Sequence, residues 1–138
     1  MIDTTTAAGR RAAERLHDEI IAWLVTVRAD GQPQPSPVWF LWRDPDIIVY
    51  SRPDTAKLRN LALNPRVALH LDGNGQGGDI VILEGTAALD PSLPPADAVP
   101  EYVAKYSDVI ARNGWTPASF AADYSVAVRI HIGRTRIW

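Results

Sequence analysis

A succession of short stretches with a period of two, each bounded by Gly, Pro, Asn or Asp, limits this chain to folds built mainly from antiparallel strands. The clearest begins at Trp23, where Trp23, Val25 and Val27 alternate with Leu24, Thr26 and Arg28. Asp30-Gly31 follows, and both positions tolerate the positive φ of a tight hairpin turn. A second strand is expected over 38–42, with Trp39 and Trp42 on opposite faces. Pro33, Pro35 and Pro37 precede it and cannot donate ladder hydrogen bonds, so 34–37 reads as an edge or bulged approach. Further strands are expected over 47–51, 67–71, 80–89 with Gly85 at a bulge, and 124–132 with 134–138 as an extension or a separate pairing.

Helical spacing marks three other segments. Ala13, Leu16 and Ile20 share one face near the start, with Arg11, Arg15, Asp18 and Glu19 opposite. A short helix over 55–63 has Thr55 as its cap and Asn64-Pro65 as its stop. Tyr102, Val103, Tyr106, Val109 and Ile110 place a third over 101–112, ended by Asn113-Gly114, and 118–122 reads as a weak helical turn. The sum is a small, mainly antiparallel six-stranded β-barrel with short helices at its ends.

At 138 residues, a single domain over 1–138 is expected. With 14 basic against 16 acidic side chains, there is no broad basic field to hold nucleic acid or an anionic membrane. The longest apolar run, 20–25, is far short of the roughly 20 residues of a membrane span. The first residues carry no secretion pattern, so a cytoplasmic location is expected. The absence of cysteine excludes disulfides, thiol nucleophiles and Cys-based metal sites. His17, His70 and His131 have no ligand spacing, so no metal is expected. The loop 72–79 resembles a calcium loop only briefly, since Leu83 stands where a bidentate glutamate is needed. No side chain can be assigned as catalytic.

The stretch from Tyr50 to Asn60 carries the most chemistry. It leaves a strand, passes a turn with Ser51 and Arg52, and enters a helix through Thr55 with Lys57 and Arg59 close behind. A helix N-terminus offers free N–H groups and partial positive charge, an anion site in waiting. Lys57 and Arg59 oppose that dipole unless an anion is present, a local conflict typical of functional sites. A capped helix with a solvated basic face is the plainer alternative. Only Lys57 and Lys105 are lysines, which singles both out.

Together these runs resemble the pyridoxamine-phosphate-oxidase-like split β-barrels. The resemblance rests on 23–42 as the opening hairpin, 48–60 as the phosphate segment, and 67–72 and 79–87 as the strands that follow. It is nearest the actinobacterial subgroup that uses the deazaflavin F420 in place of FMN. It implies a homodimer with cofactor sites at the subunit interface and a small-molecule substrate. Ser51, Arg52, Thr55 and Lys57 would hold the cofactor phosphate, with Tyr50, Arg59 and Asn60 nearby. Ser36, Pro37, Val38 and Trp39 would line the ring system, flanked by Gly78, Asp79 and Ile80, while Trp115 and Trp138 would reach in from the partner chain. The implied activity is an F420-dependent reductase. An FMN-dependent oxidoreductase and a non-catalytic cofactor carrier are the alternatives. No residue reproduces the substrate-binding arginines of the pyridoxamine enzymes.

Overall fold

The computed structural model describes residues 1–138. In chain order it contains α1 (Ala7–Asp18), β1 (Ala22–Val27), β2 (Pro33–Val38), β3 (Leu41–Arg43), β4 (Asp46–Ser51), α2 (Ala56–Leu63), β5 (Arg66–His70), β6 (Val81–Leu89), α3 (Pro100–Arg112), α4 (Pro117–Asp123) and β7 (Val126–Ile137). The strands form one seven-stranded sheet in the order β2-β1-β5-β6-β7-β4-β3, with every pair antiparallel. Its edge strands, β2 and β3, are joined only through Trp39 and Phe40. So short a link forces the sheet to curl until its edges meet at one corner. The result is a barrel split along the rest of that seam.

The strand expected over 38–42 is therefore two strands. Tyr106 explains the break: its hydroxyl accepts the Phe40 N–H at 2.7 Å and lies 3.0 Å from the Phe40 carbonyl. Lys105 Nζ also donates to the Phe40 carbonyl at 2.9 Å, so two side chains of α3 take both backbone groups of Phe40 from the ladder. The prolines are also placed differently from the expected bulged approach. Pro33, Pro35 and Pro37 belong to β2 itself, in unbroken register opposite Val27, Val25 and Trp23. Their alternate spacing leaves the ladder donors on Gln34, Ser36 and Val38. The outer edge then carries no N–H at the prolines, which blocks addition of a further strand.

Two cores follow from the curl. The barrel interior holds Leu24, Ile47, Val49, Leu69, Leu83 and Ile130, closed by Leu16 of α1 and Leu61 of α2. On the outer side of β4, Ile48 and Tyr50 pack under Tyr102, Tyr106 and Ile110 of α3 and Phe120 of α4. β4 is buried on both faces, which is why 47–50 reads as a continuous apolar run. No helix is long and apolar enough to cross a membrane.

The bulge expected at Gly85 is present as a register shift between Glu84 and Gly85. A Cβ at Gly85 would lie 2.1 Å from the His131 carbonyl oxygen, so the strands can approach this closely only without one. Gly85→Ala should lower stability by about 1–3 kcal/mol, the range for overpacking. The urea midpoint would fall with an unchanged slope; an unchanged midpoint would show that β7 yields freely at this point.

Candidate functional site

β4 delivers the chain at Ser51 into a turn whose Asp54 sits at φ 61, in the left-handed region. Thr55 is the N-cap of α2 by backbone geometry, yet its side chain makes no capping hydrogen bond. The proton count explains this. Ser51 Oγ donates its one proton to the Arg52 carbonyl at 2.8 Å, so in the 3.1 Å Ser51–Thr55 contact Thr55 is the donor. With Thr55 turned aside, the first intrahelical amide bond of α2 is that of Arg59 to the Thr55 carbonyl. The N–H groups of Ala56, Lys57 and Leu58 point outward at the positive end of the helix.

Lys57 is half-buried beside this end, and burial alone pushes its ammonium below the usual lysine range. It has no acidic partner to offset the cost of burying a cation. Arg52 and Arg59 are exposed. Arg52 lies over the Tyr124 ring, 5.1 Å from its centroid, and Arg59 donates to the Asp54 carbonyl at 2.5 Å.

Lys57 reaches into a groove of about 500 Å3. Pro37, Val38 and Trp39 line it from the end of β2, Tyr50 from β4, and Trp115, Phe120 and Tyr124 from in and around α4. Its aromatic rings form a column. Trp39 stacks on Tyr106 at 4.7 Å and on Phe120 at 5.0 Å, and Phe120 stacks on Tyr124 at 4.5 Å. Arg52 caps the far end of that column, close to the start of α2. The site therefore joins a flat, apolar bed to a compact set of anion-seeking donors.

Of the residues singled out by sequence, Pro37, Val38, Trp39, Tyr50 and Lys57 line the groove, and Ser51, Arg52 and Thr55 form the adjoining turn. Ser36 does not line it. It pairs with Leu24 and shares that residue's inward face of the sheet. Asn60 is buried and committed elsewhere, donating to Thr26 Oγ1 at 3.0 Å and Gln34 Oε1 at 2.9 Å, so it ties α2 to the barrel. Gly78, Asp79 and Ile80 lie away from the groove, near α1. Asp79 meets Arg11 there at 3.1 Å, and Ile80 pairs with Trp138 through backbone bonds of 2.7 and 3.2 Å. Trp115, expected from a partner chain, stands in this chain's own groove. Sequence reasoning missed Ile20, Ile21, Val109, Asn113, Phe120 and Tyr124. The four-residue spacing of Phe120 and Tyr124 was a usable signal, since it puts both rings on one helix face.

The profile of the pyridoxamine 5'-phosphate oxidase family matches residues 9–138. The chain belongs to this family. Among curated proteins, none matches the sequence. Solved structures with the same fold include a conserved hypothetical protein from Mycobacterium tuberculosis, at 23% identity and a TM-score of 0.75, covering 96% of this chain and 85% of that one. A protein from Listeria innocua described as a putative pyridoxamine 5'-phosphate oxidase has 17% identity and a TM-score of 0.69, with 93% and 95% covered. A protein described as an F420 reductase has 22% identity and a TM-score of 0.65, with 89% and 94% covered. As a member of the oxidase family, the chain has the split-barrel fold expected from its sequence, with seven strands in place of the six expected because 33–43 forms two.

Proposed function

We propose that this family member binds a flavin-type cofactor, coenzyme F420 in first place with FMN as the alternative, and works as a reductase on an unsaturated small molecule. One observation carries the reading: a half-buried Lys57 without an acidic partner stands at an uncapped helix N-terminus that opens onto an aromatic groove. The likeness to an F420 reductase supports the choice of deazaflavin.

The residues fit such a group. Thr55, Lys57 and the N–H groups of Ala56, Lys57 and Leu58 would hold its phosphate, and Arg52 can swing from Tyr124 to join them. Pro37, Val38 and Trp39 would bed the ring system, and the groove volume is ordinary for a ligand of this size. When bound, a reduced deazaflavin supplies a hydride. The chain's part is to orient the ring against the acceptor and keep water from that contact through Trp39, Trp115 and Phe120. No carboxylate or histidine lines the groove, so we assign the accompanying proton to solvent.

We further propose a homodimer, as the family resemblance implies. Trp23, Val25, Ala68 and Ile82 are half-buried on the outward face of β1, β5 and β6, where His70 and Glu84 lie among them, a mixed apolar and polar surface suited to a second copy. That copy could bring Gly78, Asp79, Ile80 and Trp138 to the groove. Sedimentation equilibrium would give twice the chain mass; a strict monomer at micromolar concentration contradicts the dimer.

Titration with F420 and with FMN, followed by tryptophan fluorescence, tests the cofactor. Saturable quenching by F420 and oxidation of reduced F420 with a quinone, enone or nitroaromatic acceptor is the expected result. Tight binding without turnover would favour a carrier, binding of FMN alone would favour the alternative, and no binding of either at tens of micromolar would overturn the reading.

A further inference from the structure

A second cavity, of about 530 Å3, lies between the C-terminal end of α1, β3 and α3, and shares no lining residue with the groove. Leu16, Leu41, Trp42 and Ala104 give it an apolar surface, and Lys105 of α3 gives it a half-buried cation. Lys105 Nζ donates to the Phe40 carbonyl at 2.9 Å and to that of Leu16 at 3.5 Å, and lies 3.7 Å from the centroid of the Phe40 ring. These partners are all neutral.

The neighbouring charged side chains have other hydrogen-bond or ion-pair partners. Asp18, at the end of α1, shares a hydrogen bond with His17 at 2.7 Å, and Glu19 just beyond it pairs with Arg15 at 2.5 Å. Arg43 of β3 pairs with Glu101 of α3, its Nε 3.1 Å from the carboxylate. Asp18 and Glu19 act on Lys105 only through space, and burial outweighs them, bringing its pKa down to about 8. Two carbonyls occupy at most two of the three ammonium protons. Capping the end of α1 explains the bond to Leu16, but not a half-buried ammonium with no carboxylate in direct contact at the edge of a ligand-sized, partly apolar space.

We propose that this cavity is a second small-molecule site, separate from the cofactor groove, that takes a compound with an apolar body and a carboxylate head, the head pairing with Lys105. A single negative charge matches the one lining ammonium that makes no direct ion pair. A phosphate dianion would bring a second charge close to Asp18, Glu19 and Glu101. The inference does not rest on the cofactor reading, since no cofactor enters its test.

Hexanoate and benzoate are suitable probes, with hexanol and benzyl alcohol as uncharged counterparts. The lysine ε-CH2 resonances, from Lys57 and Lys105 only, report which amine responds. The expected result is saturable binding that moves the Lys105 resonance, with the carboxylates roughly tenfold tighter than the alcohols. Lys105 must be protonated and the probe ionised to pair, so the carboxylate preference should be full above the probe's own pKa and well below pH 8, and fade as pH rises through about 8. Lys105→Met should abolish the preference. If that variant does not fold, the pH profile of the wild-type protein decides. Equal binding of acid and alcohol, a response of Lys57 alone, or no binding at millimolar probe would overturn the proposal.

Discussion

Lys57→Ala should weaken F420 binding by roughly 10- to 150-fold, the equivalent of about 1.5–3 kcal/mol for a hydrogen bond to a charged group. The loss should come without a loss of stability. Lys57 is held half-buried with its ammonium disfavoured by that burial, and no hydrogen bond from its side chain ties it to the fold. Removing it relieves a desolvation cost in the free protein and deletes an attraction only in the complex. Unchanged affinity, measured by the same fluorescence titration, would return Lys57 to the role of a cation on a solvated helix face. A fall in both affinity and thermal midpoint would mean that the lysine supports the fold instead.

Tyr106→Phe should lower stability by about 1–3 kcal/mol, because it strands a buried backbone donor. The hydroxyl accepts the Phe40 N–H at 2.7 Å and lies 2.8 Å from the Ile20 carbonyl and 3.0 Å from that of Phe40. These contacts pin the corner where the edges of the sheet meet. The aromatic ring remains in the variant and can still stack on Trp39, so the column should persist while the backbone beneath it loosens. A lower urea midpoint with an unchanged slope is expected. An unchanged midpoint would mean that water or another donor–acceptor arrangement satisfies Phe40 equally well.

The local code of this chain was readable where neighbours in sequence decide the outcome. The turn at Asp30-Gly31 and the bulge at Gly85 follow from residue types alone, and so does the helix begun at Thr55. The break at Trp39 and Phe40 was not readable. The stretch 38–42 is apolar throughout, and the hydroxyl that interrupts it comes from Tyr106, on a helix distant in sequence. Asn60 and Lys57 teach the same lesson within one helix. Both stand in the segment that suggested a phosphate site, but Thr26 and Gln34 draw Asn60 inward to the barrel while Lys57 is left facing the groove. Sequence proximity suggested one shared role, and tertiary hydrogen bonding separated the two. Gly78, Asp79 and Ile80 were grouped with the ring contacts by resemblance, and Arg11 and Trp138 hold that segment beside α1 within one chain.

The ε-amine of Lys57, followed by NMR through a pH titration with and without saturating F420, tests the central claim most directly. Only one other lysine, Lys105, shares its spectral region. In the free protein, burial should hold the Lys57 pKa below the ordinary value of 10.5. A phosphate seated against it must raise that pKa, since the anion favours the charged amine. A clear rise on binding is the predicted result. A Lys57 titration that F420 leaves unmoved while its fluorescence quenching saturates would contradict an anion site at the start of α2.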